Sequence, residues 1–503
     1  MSQIVARTLR QVDAGNEARS AQIILLHDGG GSRAQTVAAL PHIIDGLRAR
    51  GLKIVPVSEL AGLPPRAVMP PIQGADLLAV RADTGIFLLL AGAAVLLKWM
   101  FVAAIALGVV RAVMMAGLAW RGRKGARPPA ILPDQVVTVI IPAFNEARVI
   151  TASVSRVLAS RDVRLDVIVV DDGSRDGTSE IVRAAFAHEP RVRLLTLPNG
   201  GKAAALNHAL RCARADFIVA LDADTQFEPL TIARLIRWFA DPNVGAVAGN
   251  AMVGNQVNLV TRWQGVEYVT AQNLERRALT RFEAVTVVPG AVGAWRRAAL
   301  DDVGGYPVDT LAEDQDLTIA IQRKGWRIAL DTEAIAWTEA PESFSALAKQ
   351  RFRWAFGTLQ CLWKHRGILR TGQPAGLALV GLPQAWLFQI GFAVVSPVID
   401  LALVVSTSAT ALRVHDHGWA QTQSDVLRMA MYWLAFAGID VMCGWIAYRL
   451  EPRAKRYPAL LLIAQRFVYR QIMYFVVLKA ISKAVTGPWV GWGKLERSGR
   501  VAV

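Results

Sequence analysis

Long apolar segments on both sides of a strand-and-helix region constrain this sequence most. The first, residues 86–119, is interrupted only by Lys98 and Arg111. It exceeds the roughly 20 residues that a helix needs to cross a bilayer, so it fits one long or tilted span, or two tight ones. Three more apolar segments follow, at residues 377–412, 429–448 and 458–481. The sequence therefore predicts an integral membrane protein with an α/β domain inserted between transmembrane helices.

Composition points to membrane lipid as a partner. The chain is 53% hydrophobic, contains 15 Trp and carries a net charge of +16, as expected of a cationic, aromatic-rich protein beside anionic lipid. Its basic residues are scattered next to the apolar segments and no nucleic-acid-binding module is visible, so we do not expect nucleic acid as a partner. The widely spaced Cys212, Cys361 and Cys443 indicate neither a disulfide framework nor a zinc site.

Basic clusters predict the orientation in the membrane. Positive charge next to a membrane helix favours the cytoplasmic side, and one cluster directly follows the first apolar segment. It consists of Arg121, Arg123, Lys124 and Arg127. A second cluster precedes the last segment and consists of Arg449, Arg453, Lys455 and Arg456. We therefore expect residues 130–342 to be a cytoplasmic domain of a multi-pass protein in the bacterial inner membrane.

The region after residue 342 returns to the membrane and leaves two alternatives open. Residues 343–376 are rich in aromatic and basic side chains, which is typical of interfacial helices. The segment 377–412 contains Pro383 and Pro397, so it is either a bent helix or an interfacial helix joined to a span. The last segment carries polar groups that are costly in lipid, and it either faces a polar channel or lies partly at the interface. These groups are Gln465, Arg466, Arg470 and Gln471.

Residues 1–63 read as a small β/α fragment, followed by a proline-rich linker over 64–85. We expect strands at residues 23–26 and 53–57 and a helix over 34–50 between them. The strand end Leu25-Leu26-His27-Asp28 resembles the closing motif of NodB-type polysaccharide deacetylases. The earlier Asp-Asp pair and His-x-x-x-His metal site of that family do not precede His27. The fragment therefore reads as a remnant or truncated fusion, with a structural role for His27.

Residues 136–340 alternate apolar strands with amphipathic helices, which predicts a mostly parallel, doubly wound sheet with ligands at the strand ends. The expected strands are 136–142, 166–170, 192–197, 217–221, 244–248 and 285–288. The expected helices include 147–159, 179–188 and 203–214.

The apolar run over residues 217–221 ends at two carboxylates, Asp222 and Asp224. Carboxylates at a strand end suit a hard divalent cation such as Mg²⁺ or Mn²⁺, which in turn suits a diphosphate. A solvated acidic turn is the alternative for an isolated Asp-x-Asp. The other polar groups at strand and helix ends favour the metal.

Five further constellations accompany the aspartates in a fixed order. Pro142, Phe144 and Glu146 end the first strand, and Asp171 and Asp172 end the second. Lys202 begins a helix after Asn199-Gly200-Gly201, where a cation and backbone N–H groups suit phosphate. Glu313 and Asp314 open a later helix, and Gln350, Arg353 and Trp354 form a Gln-x-x-Arg-Trp motif.

This series resembles the family 2 processive glycosyltransferases, which include cellulose, chitin, hyaluronan and poly-β-1,6-N-acetylglucosamine synthases. The resemblance covers about residues 84–497 and implies a GT-A-like domain. Ala312 stands where the family usually has Thr before the acidic pair, and this leaves the carboxylates in place. The stretch over residues 288–297 is closer to the β-1,6-N-acetylglucosamine synthases than to the cellulose synthases.

The resemblance implies roles for individual residues. Asp172 would hold uridine together with its neighbours, namely Pro142, Phe144, Glu146 and Asp171. Asp222 and Asp224 would bind Mg²⁺ or Mn²⁺ on the diphosphate near Lys202, and Asp314 would be the general base. Glu313 is either catalytic or a charge favourable to the helix dipole. Arg353 would contact the diphosphate and Trp354 would stack on the acceptor sugar with Gln350 nearby, the alternative being membrane anchoring.

The expected function is therefore inverting polymerisation of a UDP-sugar, chiefly UDP-N-acetylglucosamine, onto a growing polysaccharide that the same helices translocate. There are two alternatives. One is another UDP-sugar as donor, as in a glucan, chitin or hyaluronan synthase, and the other is a single transfer to a lipid carrier. An accessory membrane subunit or export apparatus is a further expected partner. In the tail, 486–503, residues 489–497 read either as a gating segment or as an interfacial anchor.

Overall fold

The structure is a computed structural model that describes residues 1–16, 22–27, 33–122, 128–451, 453–454, 456–487 and 499–501. The chain divides into two compact units, Met1–Leu96 and Leu97–Val503. Four predicted features lie partly or wholly outside the described residues: Asp28 of the deacetylase-like strand end, Arg123, Lys124 and Arg127 of the first basic cluster, Lys455 of the second, and the segment 489–497.

The first unit contains two packed helices, α1 (Ser2–Asn16) and α2 (Ala34–Arg48), and two single turns, α3 (Val57–Leu60) and α4 (Pro65–Val68). Val12 of α1 packs against Ala39 and Ile43 of α2. The helix predicted over 34–50 is confirmed, whereas the strands predicted at 23–26 and 53–57 are wrong, because residues 22–27 and 52–56 are irregular. A strand needs a hydrogen-bonding partner, and these short segments have none among the described residues. The resemblance to deacetylases stays a prediction.

The second unit is built on one eight-stranded mixed sheet with the order β3-β2-β1-β4-β7-β6-β8-β5. The strands are β1 (Gln135–Ala143), β2 (Val163–Asp171), β3 (Val192–Thr196), β4 (Phe217–Ala220), β5 (Gln226–Phe227), β6 (Val244–Val253), β7 (Gly293–Arg296) and β8 (Arg327–Thr338). β1 pairs in parallel with both β2 and β4, and β6 pairs in parallel with β8. β7 is antiparallel to β4 and β6 in the middle of the sheet.

The remaining helices cover both faces of this sheet or continue into the apolar segments. They are α5 (Ala75–Gly122), α6 (Ile150–Leu158), α7 (Thr178–Ala185), α8 (Lys202–Cys212), α9 (Thr231–Ile236), α10 (Leu259–Glu267), α11 (Leu274–Leu279), α12 (Arg297–Val303), α13 (Glu313–Arg323), α14 (Phe344–Lys364), α15 (Ile368–Thr371), α16 (Leu382–Gln384), α17 (Phe392–His417), α18 (Trp419–Leu450), α19 (Ala459–Gln465) and α20 (Tyr469–Thr486).

Both faces of the central strands are buried, which explains their continuous apolar sequences. In β1, Val139 and Ile141 join the core under α6 and α9, while Ile140 between them joins the core under α8 and α13. The α/β prediction is therefore confirmed. The sheet is more mixed than the predicted mostly parallel one, because β7 runs against its neighbours.

The predicted strand over residues 285–288 is wrong, and β7 and β8 were not predicted. Residues 285–288 are a buried loop whose backbone groups bond to side chains of α13. Gln322 Nε2 donates to the Val285 carbonyl at 2.7 Å, and the Val288 N–H donates to Thr318 Oγ1 at 2.9 Å. These side chains replace a partner strand, so an apolar run is buried here without belonging to the sheet.

Within the described residues, three helices are long and apolar enough to cross a membrane, or four spans if the bent pair α19 and α20 counts as one. They are α5, the continuous helix Leu377–His417 and α18. Residues 377–412 lie in one continuous helix, with π-helical stretches at Leu377–Gly381 and Ala385–Gly391 on either side of Pro383. Two of the four polar residues of the last segment contact neighbouring helices: Arg466 pairs with Asp440 of α18, and Gln471 Nε2 donates to Asp400 of α17 at 2.7 Å.

Candidate active site

The parallel pairing of β1, β2 and β4 brings their carboxyl ends to one edge of the sheet. Pro142 is therefore level with Val170, directly before Asp171, and Asp222 follows β4 two residues after Ala220. The loops after β1 and β2 are tied together, since the Asn145 N–H donates to Ser174 Oγ at 2.7 Å. The Glu146 N–H donates to Thr178 Oγ1 at 2.9 Å. Phe144 is 37% exposed at this edge.

Asp171 and Asp172 are both buried at the end of β2. Asp171 accepts from the Ser174 N–H at 2.8 Å and from Ser179 Oγ, which fixes the turn after the strand. Asp172 accepts from the N–H groups of Gly200 and Gly201, each at 2.8 Å. Its carboxylate thus fixes the loop that ends at the first residue of α8. Binding of uridine by Asp172 stays a prediction.

Lys202, the first residue of α8, links the predicted metal ligand Asp222 to the acidic pair, Glu313 and Asp314. Its Nζ lies 2.7 Å from Asp222 Oδ1 and 2.8 Å from Glu313 Oε1. Burial acts to lower the pKa of Lys202, but the charges of Asp222, Glu313 and Asp314 outweigh it and hold that pKa well above its ordinary value. Lys202 is therefore a fixed positive charge at the strand ends.

Asp314 lies on the first turn of α13, where two backbone N–H groups hold its carboxylate. Gly290 donates to Oδ2 at 3.0 Å and Gln315 donates to Oδ1 at 2.8 Å. Burial, together with the charge of Glu313, raises the pKa of Asp314 to about 6, although Lys202 and the two N–H groups oppose the shift. A carboxylate that takes up a proton near pH 6 is suited to general base catalysis at neutral pH.

Asp222 and Asp224 fit the predicted divalent cation by the chemistry of their donors. Both supply carboxylate oxygens, which Mg²⁺ and Mn²⁺ prefer, and Asp224 is buried. Within the described residues, no group of three or more His, Cys, Asp or Glu side chains could hold a metal ion by itself. An ion here would thus share its coordination between these carboxylates and substrate oxygens, which is how Mg²⁺ usually binds with phosphates.

The Gln-x-x-Arg-Trp motif lies on α14. Gln350 is buried and accepts from Arg351 Nη1 at 3.2 Å, Arg353 is half-buried, and Trp354 is 40% exposed. The Arg351 guanidinium stacks over the Trp354 ring at 4.1 Å and donates to Glu267 at 2.5 Å and to the Tyr469 hydroxyl at 3.2 Å. Arg351 thus connects the motif to α10 and α20.

One to two turns after Trp354, α14 packs against the loop that carries the acidic pair. Gln360 Oε1 accepts from the Leu311 N–H at 2.9 Å, and Thr358 Oγ1 donates to Gln315 Oε1 at 2.9 Å. Gly357 faces Ala312, and a Cβ added at Gly357 would lie 2.7 Å from the Ala312 Cβ. The small residue at position 312 therefore accommodates close approach of the two elements.

Sequence reasoning missed several residues in and around the candidate site. Gly290 follows an apolar loop that was taken for a strand, Arg351 lies inside the motif but matches none of its fixed positions, and Tyr306 follows a glycine pair. The buried Asp316 was also missed; it binds His365 Nε2 at 2.7 Å and Lys364 Nζ at 2.8 Å. No periodic or motif signal identifies these residues, because each acquires its place through contacts distant in sequence.

Residues 138–304 match the family described as Glycosyl transferase family 2. They form a family 2 glycosyltransferase domain. The sheet edge, α8 and the loop before Tyr306 lie within this domain, whereas Glu313, Asp314 and α14 follow it.

The chain containing this glycosyltransferase domain is similar to poly-beta-1,6-N-acetyl-D-glucosamine synthases. It is 31% identical to that of Staphylococcus aureus (strain COL) over 234 residues, which cover 46% of this chain and 57% of the relative. It is 29% identical to that of Staphylococcus epidermidis over 223 residues, covering 44% of this chain and 54% of the relative. The matches thus span little more than half the length of these relatives.

Among solved structures, the chain is similar to a mannosyltransferase from Pyrobaculum calidifontis in complex with GDP-Man and Mn²⁺. The two are 24% identical with a TM-score of 0.49, and the match covers 78% of this chain and 98% of that one. A second similar structure is S. aureus TarS 1-349, 16% identical with a TM-score of 0.36, covering 69% of this chain and 92% of that one.

Proposed function

We propose that this chain is a membrane-embedded, inverting and processive β-glycosyltransferase with a GT-A-like catalytic domain. Its donor is UDP-N-acetylglucosamine, and its product is a poly-β-1,6-N-acetylglucosamine chain that the membrane helices translocate. The similarity to poly-beta-1,6-N-acetyl-D-glucosamine synthases supports the choice of sugar and linkage. The helices that are long and apolar enough to cross a membrane support the embedding.

The observation that carries the proposal is the position of Asp314. Its carboxylate is held by the Gly290 and Gln315 N–H groups, and the Lys202 cation lies between Asp222 and Glu313 beside it. A base and a cation that are close together suit a reaction in which one oxygen loses a proton while another gains negative charge.

In the proposed reaction, Asp314 accepts the proton of the acceptor hydroxyl. The acceptor oxygen then bonds to the anomeric carbon of the donor as the bond from that carbon to the diphosphate oxygen breaks, and UDP leaves. Attack opposite the leaving group inverts the configuration of the anomeric carbon. Lys202 stabilises the negative charge that develops on the diphosphate, and Glu313 holds Lys202 in place.

Asp222 and Asp224 would hold Mg²⁺ or Mn²⁺, which supplies positive charge to the diphosphate of the leaving group. The uridine would lie along the ends of β1 and β2, near Pro142, Phe144, Glu146, Asp171 and Asp172. Arg353 would contact the diphosphate. Trp354 would stack on the acceptor sugar, with Gln350 behind it, and hold the product in place for the next addition.

The proposed location is the bacterial inner membrane with the catalytic domain in the cytoplasm, where UDP-sugars are available. Membrane lipid surrounds the apolar helices, and the growing polysaccharide is the second substrate. An accessory membrane subunit or export apparatus would receive the product.

The test is incorporation of radiolabelled sugar by the full chain in nanodiscs, with UDP-N-acetylglucosamine and UDP-glucose offered separately with Mg²⁺ or Mn²⁺. We expect a high-molecular-weight product from UDP-N-acetylglucosamine alone, sensitive to a β-1,6-N-acetylglucosaminidase and resistant to chitinase. Asp314→Asn should lower the rate by about 10³-fold and leave UDP binding intact.

Asp301→Asn is the matched control, because Asp301 is an exposed carboxylate at the end of α12 with a long contact of 3.9 Å to Arg297. It should retain full activity. If the chain forms product only from UDP-glucose, or transfers a single sugar to a lipid, the proposed polymer is not its product. Full synthesis by Asp314→Asn would remove Asp314 from the base role.

A further inference from the structure

A small pocket beside the acidic pair contains a polar group that the proposed reaction does not use. Its walls are largely carbon, and its lining includes Leu206, Leu221, Trp295, Tyr306 and Asp314. Tyr306 is 4% exposed, and its buried hydroxyl has no hydrogen-bond partner within the part of the chain that the structure describes. A buried hydroxyl without a partner is unfavourable, so its position calls for a ligand.

The backbone fixes Tyr306 in this pocket firmly. The Tyr306 N–H donates to Asn207 Oδ1 at 2.7 Å, and Asn207 Nδ2 donates to the Tyr306 carbonyl at 2.8 Å. Gly305 precedes it at φ +89°, and a Cβ there would lie 2.5 Å from Asn207 Oδ1. The Tyr306 ring also meets Trp295 edge to face, with ring centroids 6.2 Å apart. Asn207 belongs to α8, the helix that begins with Lys202, so Tyr306 is held in register with the catalytic cation.

The charged groups that line the pocket already have partners. Lys202 contacts Asp222 and Glu313, while Asp314 accepts from Gly290 and Gln315. Burial raises the pKa of the Tyr306 hydroxyl far above its ordinary value, so the hydroxyl is protonated and can donate. A group that fills this pocket should therefore be small and mostly apolar, with one hydrogen-bond acceptor.

An acetamido group has this composition, since its methyl group suits the carbon walls and its carbonyl oxygen accepts one hydrogen bond. We propose that the Tyr306 hydroxyl donates to the acetamido carbonyl of the donor sugar and thereby selects N-acetylhexosamine over hexose. This assignment rests on the proposed function, because it requires a nucleotide sugar bound at Asp222 and Lys202. It deepens that function by assigning the choice of sugar to one residue.

The experiment compares dissociation constants of UDP, UDP-glucose and UDP-N-acetylglucosamine for the full chain in nanodiscs, measured by calorimetry with Mg²⁺. Wild type should bind UDP-N-acetylglucosamine more tightly than UDP-glucose. Tyr306→Phe removes only the hydroxyl and should weaken UDP-N-acetylglucosamine binding about fivefold, the usual worth of one neutral hydrogen bond. Its affinities for UDP and UDP-glucose should not change.

Tyr457→Phe is the matched control, because it removes a hydroxyl that donates to the Val441 carbonyl of α18 at 2.7 Å and does not line the pocket. It should keep the wild-type discrimination. Asn207→Asp is a second variant that keeps the acceptor for the Tyr306 N–H and loses the donor to the Tyr306 carbonyl. It should reduce the discrimination in the same direction, and it decides the matter if Tyr306→Phe fails to bind UDP.

Unchanged discrimination in Tyr306→Phe would overturn the proposal and leave a water molecule as the partner of the hydroxyl. An equal loss for all three ligands would overturn it as well, since the residue would then act on the shape of the whole site. Failure of the proposed function looks different: wild type itself would show no preference for UDP-N-acetylglucosamine and would form no polymer from it.

Discussion

The guanidinium of Arg351 lies 4.1 Å from the centroid of the Trp354 ring, and it also donates to Gln350, to Glu267 and to the Tyr469 hydroxyl. Arg351 is buried, so its guanidinium is shielded from water. A cation–π contact is stronger when the cation is desolvated. The exposed aromatic face of the motif is thus oriented by a residue that the motif itself does not specify.

Arg351→Lys should weaken acceptor binding while leaving donor binding unchanged. Lysine keeps the positive charge beside Glu267 but loses the planar stacking on Trp354. We expect the KM for a β-1,6-linked N-acetylglucosamine oligosaccharide to rise about threefold to tenfold, with little change in kcat. The control is Arg366→Lys, since Arg366 stacks on Trp363 at 4.5 Å outside the motif. Loss of UDP affinity in Arg351→Lys would instead assign the residue a general structural role.

The rate of polymerisation should fall on the acid side with a midpoint near pH 6. Asp314 must be ionised to accept a proton, and burial raises its pKa to about 6. Below that pH the carboxyl group is protonated and cannot act as base, whereas above it the rate should level off. A pH profile of kcat at saturating donor measures this. A rate that stays constant down to pH 4.5 would contradict the assignment.

Lys202→Met should move that midpoint upward. The positive charge of Lys202 lowers the pKa of Asp314, so its removal allows the pKa to rise further. Affinity for UDP should fall in the same variant, because the diphosphate loses a cation. Lys324→Met changes an exposed lysine at the end of α13 and should alter neither property. A downward shift of the midpoint in Lys202→Met would refute the electrostatic link between the two residues.

Asp314→Asn should make the metal-free protein more stable at pH 8, with a smaller gain at pH 4. A carboxyl whose pKa is raised by folding binds protons more tightly in the folded state, so its stabilising contribution is lost as pH rises through about 6. Asparagine does not titrate and avoids this loss. Thermal unfolding in detergent with EDTA, followed at both pH values, tests the sign. A gain that is larger at pH 4 would exclude a raised pKa.

Gly357→Ala should reduce activity by displacing the acidic pair. The added Cβ would lie 2.7 Å from the Ala312 Cβ and 2.8 Å from its backbone nitrogen. Overpacking of this kind typically costs about 1–3 kcal/mol of stability. Gly367→Ala is the control, because no atom lies within 4 Å of a Cβ added there. Equal activity and melting temperature in both variants would show that the helix and the loop can separate without consequence.

The sequence predicted the ends of β1, β2 and β4 well, because parallel strands deliver their polar residues to one edge whatever the details of the loops. Lys202, Glu313 and Asp314 begin helices instead; the family resemblance implied that they lie near Asp222, and the four side chains form one cluster. The strand prediction failed where an apolar segment is buried without belonging to the sheet. Backbone groups of residues 285–288 are hydrogen-bonded by the side chains of Gln322 and Thr318 from α13, and only the folded structure reveals these partners.

Tyr306 could not be assigned from the sequence for a related reason. Its position depends on Asn207, which lies 99 residues earlier in the chain. The small residue at position 312 was recognised as a departure from the family, but its structural counterpart, Gly357, emerged only from the packing of α14. Contacts of this range follow from the tertiary fold and not from local pattern.

Helix α14 has one further consequence, which concerns the lipid around the protein. Its Arg351 binds Tyr469 of α20, and about two turns later its Gln360 binds the loop before Glu313. If α20 crosses the membrane as proposed, a bilayer whose hydrocarbon thickness changes the tilt of α20 would act on the same helix that supports the proposed catalytic carboxylates. We therefore expect the turnover of the proposed reaction to depend on the acyl-chain length of the surrounding lipid.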